Sequence, residues 1–238
     1  MRIREAVGRH GLAYFATVAA ITAIIAGCGG SGGDNGGGQN GNDEVLLPAM
    51  VLIPDDLPGA FIQTDENFST NEQVARGEED YEGQLANLER WGRLLGYDVT
   101  YEPADPAKKT IIVAARSTVS IYEHAGGASE SLANAAQQSR ERDWAPSHFG
   151  FQNLQVDEIP KPDLADEVVW LRIRGTSGEG TARKFLADDF VLIREARVRA
   201  LVRVSSVSDS AAQSDQMIEE TARLTGIVVE RIRSALDL

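Results

Sequence analysis

Cysteine is nearly absent from this chain: Cys28 is the only one in 238 residues. Nothing beyond it can form an intrachain disulfide, and every Cys-based metal or redox motif is excluded. Histidine is scarce as well, with only His124 and His148 beyond residue 28, which leaves little for metal chemistry. No G-x-S-x-G elbow stands between a strand and a helix, and H-E-x-x-H, EF-hand and Walker Gly-Lys-Ser/Thr patterns are missing. The residues therefore give catalysis no positive support, and the chain is read as non-enzymatic and without a cofactor. Positive charge is short too: 23 Lys and Arg stand against 36 Asp and Glu, a net charge of −13. Beyond residue 27 the balance is 20 to 35, net −15. Such a surface repels phosphate backbones, so no nucleic-acid partner is expected. The one long apolar run, residues 12 to 25, is interrupted by Thr17 and Thr22 and falls short of the about 20 residues a membrane span needs.

What is present begins at the N-terminus. Arg2, Arg4 and Arg9 precede the apolar run, which ends in Ile25-Ala26-Gly27-Cys28 and is followed by Gly29-Gly30-Ser31-Gly32-Gly33. A basic start, a short apolar core and small residues before a cut describe a secretory signal. With a cysteine at the +1 position, the segment resembles the lipobox of bacterial lipoproteins. That resemblance implies cleavage between Gly27 and Cys28, a diacylglyceryl thioether on Cys28, acylation of the new amino group, and attachment to a membrane through those acyl chains. More than one chain is what stable anchoring takes. It also implies the extracytoplasmic face of the cell envelope, and the outer membrane if the host has one, because Gly29 stands where an Asp would signal inner-membrane retention.

Residues 29 to 42 are Gly with Ser, Asp, Asn and Gln, and contain no large apolar side chain. They read as a coil with an average end-to-end distance of about 20 Å. The expected division is a signal peptide over 1–27, a lipidated cysteine and tether over 28–44, and one globular domain over 45–238. About 194 residues can bury a single core without staples.

Within the domain, strand-like and helix-like runs alternate. Residues 61 to 66 read as a first strand. Leu85, Leu88, Trp91 and Leu95 fall at helical spacing, with Asp80 as N-cap and Gly96 as the stop. Residues 97 to 102 and 110 to 123 are strand candidates, and 128 to 142 a second helix with a small apolar face. Four strands follow, over 151–159, 166–174, 185–194 and 197–206, the last two joined at Glu195-Ala196 as a tight hairpin. A final helix opens at Ser208 to Ser210, with Ser210 and Gln213 fitting a capping box and Met217, Thr221, Leu224, Val228, Ile232 and Ala235 in one stripe. Clustered strands and separated helices predict an α+β fold with a mainly antiparallel sheet of six to seven strands. Strands apolar on both sides, such as Val168-Val169-Trp170-Leu171, predict that helices or loops cover both sheet faces.

A tethered lipoprotein with an opening L-P-x-D-L-P-G-x-F-like segment, an amphipathic helix carrying Trp91, and a late hairpin (VLIREARVRALVRVS) running into a C-terminal helix is similar to the PsbP-like and LpqN-type extracytoplasmic lipoproteins. It is more distantly similar to the mycobacterial kinase sensor domain. The resemblance implies an α/β/α sandwich that serves as a binding or accessory module, and it carries no catalytic residues over.

The candidate site residues are basic and aromatic. Arg197, Arg199 and Arg203 alternate with Val198, Ala200, Val202 and Val204, which puts all three on one strand face, and Arg172 and Arg174 share a face of an earlier strand. Residues 172 to 203 hold eight basic and four acidic residues inside an acidic chain. Arginine offers a fork suited to a carboxylate or phosphate; the alternative is a solvated face paired with Asp and Glu. Trp144 stands in a polar connection near His148, where an aromatic either lines a pocket or pins the loop to the core. Asp188-Asp189 reads as an edge pair. The expected partners are a small anionic or amphipathic ligand or an envelope protein. An accessory subunit of an envelope complex, and a hydrolase using His148 or His124, are the other readings.

Overall fold

The computed structural model describes residues 45–238 except 109, 149, 161 and 162. The expected signal peptide over 1–27, the expected tether and Cys28 lie outside the described residues. Seven strands form one sheet: β1 (Phe61–Ser69), β2 (Arg93–Pro103), β3 (Ile112–Tyr122), β4 (Gln152–Glu158), β5 (Glu167–Ser177), β6 (Lys184–Glu195) and β7 (Val198–Ser208). Their order across the sheet is β1-β2-β3-β7-β6-β5-β4, and every pair is antiparallel. Among the described residues, the helices α1 (Asn71–Ala75), α2 (Tyr81–Arg90), α3 (Ala125–Glu141) and α4 (Ala211–Ala235) accompany them. The fold is the expected α+β sandwich, with a single antiparallel sheet between helices.

Helix α4 covers one face. Met217, Leu224, Val228 and Ile232 meet Val191 and Ile193 of β6 and Val198, Ala200, Val202 and Val204 of β7 in the main core. Leu47, Met50 and Leu52 of the N-terminal segment extend that core over β2 and β3. Ser210 starts α4 by accepting from the Gln213 backbone N–H at 3.3 Å. Burying each of the Val, Leu, Ile and Met side chains among these contributes about 1.5–3 kcal/mol.

Helix α3 covers part of the opposite face. Its small residues let it sit close, so Leu132 and Ala136 reach Leu192. Gly127 is required in its first turn, since a Cβ there would fall 1.8 Å from the Trp91 carbonyl oxygen. His124 caps the helix by accepting the Gly127 N–H on Nδ1 at 2.9 Å.

Three expectations are corrected. Helix α2 stops at Gly92, whose φ of +66° ends it, and not at Gly96; Leu95 and Gly96 belong to β2. Asp188 and Asp189 are not edge residues: both are at most 1% exposed in the middle of β6. Arg197 is not on the strand with Arg199 and Arg203, because the β6–β7 hairpin turns at Ala196-Arg197, with Ala196 at φ +48° and Glu195 opposite Val198.

Candidate functional site

Between the second half of α3 and the sheet lies a cleft of about 270 Å³. Ala135, Gln138, Ser139 and Arg142 form its helical wall. The sheet supplies Arg116 and Thr118 from β3, Phe190 and Leu192 from β6, and Arg199, Leu201 and Arg203 from β7. Trp144, in the connection leaving α3, lines the cleft as well. Among the described residues four arginines line this space and no Asp or Glu does, in a chain whose net charge is −13.

Strand alternation creates the arrangement. Past the register shift after Ile112, even-numbered side chains of β3 point to the α3 face, as do even-numbered ones of β6 and odd-numbered ones of β7, and register places Arg116 beside Arg203, Thr118 beside Leu201 and Ser120 beside Arg199. Trp144 packs on Phe190 at 4.7 Å between ring centroids, and its Nε1 donates to the Ser139 carbonyl at 3.1 Å. The Arg203 guanidinium lies 4.6 Å over the Phe190 ring.

The four cations differ in how they are balanced. Arg116 donates to Asp98 at 2.5 Å, and Thr118 donates to the same carboxylate oxygen at 2.7 Å. Arg203 binds Asp188 through two nitrogens, at 2.7 and 3.1 Å. Asp188 also accepts from Ser205 Oγ at 2.9 Å and meets His148 Nε2 at 3.0 Å. Burial opposes ionisation of Asp188, but the His148 and Arg203 interactions outweigh it and hold the carboxyl below the ordinary aspartate range. Arg199, by contrast, donates among the described residues to Ser131, at 2.8 Å to Oγ and 3.4 Å to the carbonyl. Arg142 lies 4.9 Å over the Trp144 ring. Neither Arg199 nor Arg142 has a carboxylate partner among the described residues. Behind Arg199, the buried Arg93 is held by Ser69, Asn71 and Ser120. Burial, with a further push from Arg199, brings its guanidinium down to about 10.

The structure therefore brings Trp144, Arg199 and Arg203 together and separates the other candidates. His148 sits behind the cleft, with Nδ1 2.9 Å from the Trp144 carbonyl and Nε2 on Asp188, so both ring nitrogens are engaged. Arg197, in the turn, donates to the Tyr122 carbonyl at 3.1 Å. Arg172 and Arg174 point to the α4 face. Arg172 is 1% exposed and forms a two-nitrogen ion pair with Asp189 at 2.8 and 2.9 Å, while Arg174 pairs with Asp157 at 2.6 Å. Neither is offered to a ligand in the cleft. Arg116, Arg142 and Phe190 were not singled out by sequence reasoning. A polar Arg116-Thr118-Ser120 alternation against Ala115, Val119 and Ile121 is the signal for the first of them.

No family model matches the chain, and no curated protein matches it. Among solved structures, the extracellular domain of PknH from Mycobacterium tuberculosis is similar to it, with a TM-score of 0.44 and 12% identity over 79% of this chain and 96% of that one. Among the described residues no helix is long and apolar enough to cross a membrane.

Proposed function

We propose that this chain is a lipid-anchored binding module of the cell envelope. Acyl chains on Cys28 hold it at the extracytoplasmic face, and its domain takes a small anionic ligand with an apolar body in the cleft under α3. The observation that carries the ligand reading is the lining: four arginines, two aromatic rings and no acidic side chain, within a strongly acidic protein. Guanidinium forks grip carboxylate or phosphate oxygens, and Leu192, Leu201 and Trp144 give an apolar body a place to lie. The anchoring reading rests on the Ile25-Ala26-Gly27-Cys28 segment and the Gly-rich stretch after it.

Native mass spectrometry of the full chain recovered from bacterial envelopes tests the ligand reading. The expected result is a co-purifying anion that is lost in Arg199→Ala, whereas a bare protein mass in repeated preparations contradicts it. Anchoring is tested separately by metabolic labelling with a palmitate analogue, which Cys28→Ala is expected to abolish. Label retained by that variant contradicts lipidation at Cys28.

A further inference from the structure

The balance of charge along the cleft is uneven, and its ends are distinct. At one end is Arg199, reaching Ser131 near the start of α3. At the other are Arg116 and Arg203, adjacent in register, with Arg142 stacked on Trp144 at the end of α3. Between the ends lie Leu201 and Leu192, side by side on neighbouring strands, with Ala135 above them. The pairs Arg116–Asp98 and Arg203–Asp188 are already neutralised within the protein. One uncompensated guanidinium thus remains at each end, Arg199 at the first and Arg142 at the second.

The distance between the ends follows from the backbone. Arg199 and Arg203 are four residues apart on one strand, roughly 13 Å at about 3.3 Å per residue. Along the helical wall, Ser131 to Arg142 covers roughly 16 Å. A carboxylate bound at one end cannot touch the cation at the other, and a single anionic group leaves one guanidinium unanswered. An apolar floor between two cations suits a chain with a negative group at each end.

We infer that the cleft recognises an elongated dianion, with an anionic group at each end of a short apolar chain, one held at Arg199 and the other at Arg142 beside Arg203. This deepens the proposed anion-binding function and rests on it. Extended alkyl chain advances about 1.25 Å per carbon. Allowing for the reach of the two guanidinium groups, a spacing of six to ten carbons bridges the ends. An α,ω-dicarboxylate is the simplest probe of this chemistry.

The test is calorimetric titration of the full chain with succinate, adipate, suberate and sebacate, and with octanoate as the one-headed control of suberate. Suberate is expected to bind best. Succinate and octanoate are each expected to bind about tenfold more weakly, the first because it is too short and the second because it leaves one end unpaired. Arg142→Gln and Arg199→Gln are each expected to erase the preference of suberate over octanoate while leaving the urea unfolding midpoint within error. Octanoate binding as tightly as suberate, or affinity independent of diacid length, overturns the two-ended assignment and leaves the anion-binding reading intact. Failure of every acid to bind overturns both.

Discussion

On the α4 face, β7 presents Val198, Ala200, Val202 and Val204, all at most 1% exposed; on the α3 face the same strand presents Arg199, Leu201, Arg203 and Ser205. The neighbouring strand repeats the contrast in two adjacent residues. Asp189 turns to the α4 face, where Arg172, Trp170 Nε1 and Thr221 surround it. Asp188 turns to the α3 face, where its partners are Arg203, His148 and Ser205. In the first network Asp189, Arg172, Trp170 and Thr221 are each at most 1% exposed, and none of them lines the cleft under α3. The second is open, because Arg203 lines the cleft and His148 braces the connection that carries Trp144. One face is thus committed to the core, and the other, beside its own paired Asp188, carries two guanidinium groups, Arg199 and Arg142, without a carboxylate partner among the described residues.

The largest expected effect breaks the closed face. Arg172→Ala leaves the Asp189 carboxylate buried without its ion-pair partner, and is expected to cost about 3–5 kcal/mol in urea unfolding. A cost below about 1 kcal/mol would show that Asp189 finds other support. Next, Leu224→Ala opens a cavity in the α4 core and is expected to cost about 2–5 kcal/mol by the same measurement. Leu201→Ala borders the cleft and is expected to cost about 1 kcal/mol, since solvent already reaches it. Equal losses at the two leucines would contradict the contrast between the faces.

The acid limb of stability sharpens the comparison. Asp188 is held below its ordinary value when folded, so it contributes stability above the unfolded aspartate value of about 3.9, and that contribution is lost as pH falls through the lower folded value. Denaturation measured between pH 5 and 2 is expected to fall less steeply in Asp188→Asn than in the parent, with the variant about 1–3 kcal/mol less stable at neutral pH. An unchanged slope would mean Asp188 does not carry the acid sensitivity. The smallest stability effect is expected at Arg199→Gln, below about 1 kcal/mol, because no ion pair is lost.

Much of this was legible in the chain. The order of strands and helices, the hairpin near Glu195-Ala196 and the apolar stripe of α4 follow from periodicity and turn residues, which act locally. The helix stop at Gly92 was missed because the spacing of Leu85, Leu88, Trp91 and Leu95 suits a helix, although Leu95 lies in β2, past a register shift. In the candidate site, alternation grouped Arg199 with Arg203. It could not tell which face of β5 is buried, since both faces of the sheet are covered. Arg172 was therefore grouped with the surface arginines, although Asp189 stands directly opposite it in register. Arg142 and Arg116 reach the cleft from separate elements 26 residues apart, a juxtaposition only the folded sheet creates.

The central claim is that the α3 face, and not the α4 face, offers its arginines to an anion. Nitrogen-15 NMR of the arginine Nε–H groups in the full chain, recorded while octanoate is added, tests it most directly. The account expects saturable shifts of Arg199 and Arg203 with Arg172 unmoved. Silence of Arg199 and Arg203 at millimolar octanoate, or an equal response from Arg172, would contradict it.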